Sequence, residues 1–192
     1  MKKIGLFFGT FNPVHVGHMV IANYMAQFTD LHQVWLVVSP QNPVKKKDSM
    51  LSEHHRLAMV REAIGDDPSM KASNIEFELP KPSYTINTLA YLEEKYKTHR
   101  FVLIMGSDNL QYFAKWKNYE QILDKYQLYI YPRPGSDGGE FKDHPKVKFT
   151  QTPLMEISAT FIRNSVKEKK DIRHLMPEAA YRYMKEMHFY EK

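Results

Sequence analysis

Ile4-Gly5-Leu6-Phe7-Phe8-Gly9-Thr10-Phe11-Asn12-Pro13-Val14-His15-Val16-Gly17-His18 decides the fold of this chain. An apolar run stops at a small, turn-forming segment, and two histidines three residues apart then open an amphipathic pattern. A buried strand, a tight turn and a helix N-terminus in that order make an anion site. Free N–H groups of the first helical turn and the positive end of the helix dipole face the turn. Gly9 allows close approach of a ligand, and the Thr10 and Phe11 N–H groups can meet phosphate oxygens. His15 and His18 are one helical turn apart and can face the same side, while Gly17 removes a side chain that would block access. Two imidazoles at such a site point to a phosphate undergoing chemistry.

Outward from that stretch, strand and helix patterns alternate. Ile21, Met25 and Phe28, with Ala22 and Ala26, mark a helix over about 17–29. Gln33–Val38 is a β-rich apolar run without alternation, as in a strand covered on both faces. Ser52 caps a helix carrying Leu57, Val60 and Ile64, with Gly65 as its stop. A third strand is expected within Met70–Leu79. A helix from Thr85 to Tyr96 follows, with Ile86, Leu89, Ala90 and Leu92 available for burial. Arg100–Met105 reads as the fourth strand, stopped by Gly106. Short helices near 108–113 and 119–125 lead to a fifth strand, Gln127–Tyr131, and a short sixth, Val147–Thr150. Helices over about 159–169 and 177–188 follow, the second with Pro177 in its first turn. The pattern predicts an α/β, Rossmann-like, doubly wound parallel sheet of five to six strands with C-terminal helices. We expect one domain over 1–192, its C-terminal helical part covering about 157–192. Ligands of such sheets bind beyond the carboxyl ends of the strands, where Gly9, Ser39, Gly106 and Pro132 fall.

Composition fits that expectation and excludes several classes. The chain has 192 residues, 43% of them hydrophobic, enough for a sizeable core. It contains no cysteine, which rules out disulfides, thiolate metal sites and thiol nucleophiles. The N-terminal apolar run is too short for a signal peptide, and no stretch approaches a membrane span, so a cytoplasmic protein without membrane partners is expected. The net charge of +5 suits anionic ligands but is too mild to announce nucleic-acid binding. Lys167-Glu168-Lys169-Lys170 reads as a solvated surface tract.

A second phosphate-binding pattern lies at Ile157-Ser158-Ala159-Thr160-Phe161-Ile162-Arg163. Ser158 is a good N-cap, Thr160 lies in the first turn and Arg163 comes one turn later, offering hydroxyls, N–H groups and a guanidinium to polyphosphate oxygens. The first block resembles the H-x-G-H turn of the adenylyl- and cytidylyltransferase superfamily, and the second resembles its I-S-x-T-x-x-R signature. Within it, Pro82-Ser83-Tyr84-Thr85-Ile86-Asn87-Thr88-Leu89, Met105-Gly106-Ser107-Asp108-Asn109-Leu110, Trp116 and Tyr119–Leu123 resemble the nicotinate-nucleotide adenylyltransferase family. Arg133-Pro134-Gly135 and Leu175-Met176-Pro177 also have counterparts there, in the same order along nearly the whole chain.

The resemblance implies roles. Gly9, Thr10, Phe11, His15 and His18 would hold ATP phosphates, with His18 stabilising charge at the α-phosphate. Ser158, Thr160 and Arg163 would hold the β,γ-phosphates, and Gly106 and Asp108 would contact adenosine. Tyr84 and Thr85 would take the pyridine carboxylate through backbone N–H groups, Trp116 would stack on the ring, and Arg133 would contact a phosphate. The sequence departs from the family at Phe8 and Asn12, where glycine and aspartate are frequent. It departs again at Gln41–Lys47, where relatives carry a histidine after prolines and Lys45 or Lys46 would supply the positive charge.

These residues imply direct displacement at the α-phosphorus of ATP by the 5′-phosphate of nicotinate mononucleotide. Mg²⁺ would be held mainly by the ATP phosphates, no carboxylate cluster forming a dedicated cage. The runner-up is a nicotinamide-mononucleotide or dual-specificity adenylyltransferase. Phosphopantetheine adenylyl transfer is disfavoured by His15, a degenerate nucleotide-binding module by intact His18, Ser158, Thr160 and Arg163. No nucleic-acid partner is expected, and oligomeric state, a homo-oligomer included, stays open.

Overall fold

A computed structural model describes residues 1–40 and 50–191. The opening apolar run forms β1 (Lys2–Gly9), and the segment after the turn forms α1 (Val16–Phe28). β2 (Gln33–Val38), α2 (Glu53–Ile64), β3 (Met70–Ser73), α3 (Thr85–Lys95) and β4 (His99–Gly106) follow. Then come α4 (Ser107–Gln111), α5 (Tyr119–Lys125), β5 (Gln127–Tyr131), β6 (Val147–Phe149), α6 (Ala159–Lys167) and α7 (Glu178–Glu186). Strand order is β3-β2-β1-β4-β5-β6, every neighbouring pair parallel. The expected doubly wound sheet is present, with six strands.

The central strands alternate their faces. Val34, Leu36 and Val38 join one apolar cluster, whereas Trp35 and Val37 join the other. The first cluster is closed by Ile21 and Met25 of α1, Met59 and Val60 of α2, Ile162 of α6 and Met184 of α7. The second is closed by Leu89 and Leu92 of α3 and by Ile122 of α5. Apolar runs without alternation therefore mean burial on both sides. β1 lies between β2 and β4, so the strand order reverses at its carboxyl end. The crevice between Gly9 and Gly106 is the topological switch point.

Several expectations are corrected. Phe28 is 70% exposed: the core stripe of α1 runs through Ile21, Ala22 and Met25, and Phe28 stacks on Tyr24 at its flank. Ala90 is exposed, the buried face of α3 being Thr88, Leu89 and Leu92. β3 ends at Ser73, and Ile75–Phe77 turns into a 3-10 helix that sends Glu76 inward. The helix expected near 108–113 ends at Gln111, and a separate 3-10 turn covers Phe113–Lys115. The predicted caps hold: Ser52 accepts from the His55 N–H and Ser158 from the Phe161 N–H, while Gly65 terminates α2 at φ +59°.

Candidate active site

The turn after β1 brings the two histidines together. Their rings stack with centroids 3.7 Å apart and planes at 27°. His18 Nδ1 accepts a hydrogen bond from the His15 backbone N–H at 3.2 Å. An accepting Nδ1 assigns the proton of the neutral ring to Nε2, making that nitrogen a donor. Phe11 lies edge-on beneath His18, centroids 5.0 Å apart, and is itself 1% exposed. His15 is 5% exposed with a buried, unpartnered Nδ1. Burial first, and then the charge of Arg133, lowers its pKa to about 4, so the ring is neutral near pH 7.

The turn differs in two details from the sequence expectation. The first N–H groups of α1 are largely committed: Val16 N–H donates to the Leu175 carbonyl and His18 N–H to the His15 carbonyl. Those two N–H groups are therefore already bonded within the protein, unlike the free helix N-terminus that the sequence suggests. The glycines also serve packing. A Cβ on Gly9 would sit 2.8 Å from the Phe11 ring, and one on Gly17 would sit 2.5 Å from Ile157 Cγ2. Gly17 thus lets the lead-in to α6 reach the histidine turn.

That approach delivers Arg163. Its Nη1 donates to the Asn12 carbonyl at 2.7 Å and its Nη2 to Thr160 Oγ1 at 3.2 Å. Ser158 Oγ accepts from the Phe161 N–H at 3.2 Å. Each hydroxyl accepts one bond, which leaves its own proton to donate. Among the described residues Arg163 pairs with no carboxylate, so its charge is available to an anion.

Across the switch point, Gly106 gives way to Asp108 and Arg133. A Cβ on Gly106 would lie 2.3 Å from Asp108 Oδ1 and 2.8 Å from Arg133 Cγ. Arg133 Nε stands 3.8 Å from Asp108 Oδ2, and its Nη1 donates to the Met155 carbonyl at 3.3 Å. Asp108, Arg133, Pro134, Met155 and Glu156 line a cavity of about 300 Å³. Asp108 Oδ1 is buried without a partner. Arg133 therefore groups with Asp108 and His15, not with the aromatic residues.

Those aromatics form a third corner. Tyr84 is the N-cap of α3 without a side-chain cap, and Thr85 is the first residue of that helix. Trp116 is half-buried against Phe113, centroids 5.3 Å apart. The neighbouring Lys117 places its ammonium 4.4 Å from the Tyr84 ring centroid, so the two loops meet. Lys45 and Lys46 lie outside the described residues.

The sequence profile of the cytidylyltransferase-like family matches residues 6–165. A probable nicotinate-nucleotide adenylyltransferase of Christiangramia forsetii is 54% identical over 192 residues, 99% of each chain. One of Cytophaga hutchinsonii is 58% identical over 174 residues, 91% of each chain. The chain belongs to the nicotinate-nucleotide adenylyltransferase family. The fold agrees with that of a Plasmodium falciparum nicotinic acid mononucleotide adenylyltransferase complexed with NaAD: TM-score 0.81 at 18% identity, covering 100% of this chain and 98% of that one.

Within this nicotinate-nucleotide adenylyltransferase fold, the motifs do not disclose every residue at the site. Arg56 is fully buried and donates to four backbone carbonyls: Leu51 at 2.9 Å, Thr10 at 2.5 Å, Ser39 at 2.8 Å and Pro40 at 3.1 Å. Its one sequence signal is a position on the apolar stripe with Leu57, Met59 and Val60. Glu76, 3% exposed, accepts from Thr88 Oγ1 at 2.8 Å, and burial raises its pKa against the hydrogen bonds of Ser39, Thr88 and Ser83. It braces the Ser83–Thr85 turn from below. Asn12, a departure from the family pattern, accepts at Oδ1 from the Leu51 N–H at 3.2 Å and the Tyr190 hydroxyl at 2.6 Å.

Proposed function

We propose that this protein transfers the adenylyl group of ATP to nicotinate mononucleotide, yielding nicotinate adenine dinucleotide and pyrophosphate, as a step of NAD biosynthesis. The observation that carries the reading is the stacked imidazole pair at the switch point, with His18 Nδ1 tied to the backbone. With Nδ1 accepting, Nε2 is the nitrogen left to donate, a group suited to stabilise charge that develops on an α-phosphate oxygen. A substrate phosphate is already an anionic nucleophile, so no general base is required. Neutral His15 supplies a second N–H donor, and Arg163 with the Ser158 and Thr160 hydroxyls binds the leaving β,γ-phosphates. Gly106 and Asp108 receive adenosine, with Arg133 bridging towards the phosphates. Gly9, Thr10 and Phe11 form the floor of the site.

On the acceptor side, the uncapped start of α3 at Tyr84 and Thr85 presents backbone N–H groups to the pyridine carboxylate. Trp116 stacks on the ring, and the Lys117 ammonium beside Tyr84 favours the acid over the amide. Among the described residues no three His, Cys, Asp or Glu side chains converge on a metal position. The donors at the turn are N–H groups and cations, so they suit Mg²⁺ arriving on the nucleotide rather than in a protein cage; when bound, it neutralises phosphate charge. The test is pyrophosphate release by purified protein with ATP and Mg²⁺. It should be fast with nicotinate mononucleotide, slower with the nicotinamide form and absent with phosphopantetheine. Preference for the nicotinamide nucleotide would overturn the carboxylate assignment, and silence with both pyridine nucleotides would overturn the reaction.

A further inference from the structure

Behind the site, the segment after α7 returns to the histidine turn. His188 and Tyr190 adopt φ of +52° and +64°, the left-handed region that non-glycine residues enter only under local constraint. The constraint is visible on both sides. Phe189 is 9% exposed, packs 4.8 Å from His55 and 5.9 Å from Tyr183, and donates its N–H to the Met184 carbonyl. Thus anchored, the backbone reverses and directs the Tyr190 hydroxyl onto Asn12 Oδ1 at 2.6 Å.

Asn12 is a junction. Its side-chain oxygen takes Tyr190 and the Leu51 N–H, and its backbone carbonyl takes Arg163 Nη1 at 2.7 Å. Tyr190 also feels the charges of both Arg163 and Arg56. Burial keeps the phenol protonated despite those charges, so it remains a donor. A neutral donor suits this position. It satisfies the amide oxygen without adding a charge that would neutralise the guanidinium needed by an anion.

We propose that Tyr190 is a positioning residue for the polyphosphate subsite. Its hydroxyl fixes Asn12, Asn12 fixes the guanidinium of Arg163, and ATP affinity depends on that chain of contacts. The inference rests on the reading of Arg163 as a ligand of the ATP phosphates.

The decisive experiment is a double-mutant cycle on the intact protein with Tyr190→Phe, Arg163→Ala and the combined variant. Thermal unfolding and steady-state kinetics for both substrates provide the readouts. Tyr190→Phe removes one hydroxyl and keeps the ring, so the fold should persist. It should raise KM for ATP about fivefold, the scale of one hydrogen bond, with KM for nicotinate mononucleotide unchanged. In the Arg163→Ala background the same change should have no further effect on ATP. Additive effects in the cycle, or an unchanged KM for ATP, would overturn the proposal. So would a drop in unfolding temperature with both KM values rising together, because Tyr190 would then be a structural strut. Failure of the underlying reading looks different: wild-type protein would not transfer the adenylyl group, or Arg163→Ala alone would leave ATP kinetics untouched.

Discussion

At the scale of single residues, the two histidines differ in how Nδ1 is held: that of His18 accepts from the backbone, and that of His15 is buried without a partner. In the proposed reaction the Nε2–H of His18 is a preorganised donor, worth on the order of 10²-fold in turnover by analogy with other stabilising donors. His18→Ala should therefore lower kcat by about 10²-fold or more, with native-like circular dichroism; near-native turnover would remove His18 from the reaction. His15 leaves a separate signature in stability. Burial and Arg133 hold its pKa at about 4, against 6.5 for an ordinary histidine. The unfolded chain thus gains its proton first as pH falls. The contribution is fully present above pH 6.5 and is lost towards pH 4, amounting to on the order of 3 kcal/mol. Urea unfolding of wild type and His15→Gln across that window tests it: the variant should lose less stability on acidification. Parallel losses would mean that His15 protonates freely within the fold.

At the scale of elements, Arg56 joins what the sheet leaves separate. Four of its five N–H groups reach carbonyls at the ends of β1 and β2 and at the lead-in to α2. Arg56→Met would leave those carbonyls without their donors in a buried place, at about 1–3 kcal/mol for each one not rescued by water. A total loss above about 3 kcal/mol is expected, seen as a lower denaturant midpoint at unchanged slope. Arg56→Lys should fall between, since one ammonium cannot span four divergent acceptors. A loss below 1 kcal/mol in Arg56→Met would show that the strand ends hold their places unaided. The contrast with the strands explains what was legible in the sequence. β1, β2 and β4 announce themselves as local apolar runs, and the H-x-G-H and I-S-x-T-x-x-R blocks are local spacings. Arg56, Asn12 and Tyr190 act through partners 46, 39 and 178 positions away, and no local pattern encodes those pairings. Phe28 misled for the same reason: helical periodicity assigned it to a face, but only the end of the sheet decides where that face stops meeting the core.

At the scale of the whole molecule, the proposed phosphate site is a seam between distant parts of the chain. The histidine turn follows β1, Arg163 comes from α6, and Tyr190 comes from the segment beyond α7. Two of these parts pack on the same side of the sheet, through Ile162 of α6 and Phe189 after α7. A nucleotide that touches the turn and α6 together binds only the folded arrangement, and mass action then raises stability. At a ligand concentration near a hundred times Kd the gain is about 2.7 kcal/mol. For a chain of this size that corresponds to a rise in Tm of about 5–10 °C. Wild-type protein with Mg²⁺ and ATP should show that rise, and Arg163→Ala at the same nucleotide concentration should retain less than half of it. An equal rise in both proteins would place the polyphosphate away from α6, because a ligand held by the histidine turn alone has no reason to sense the guanidinium across the seam.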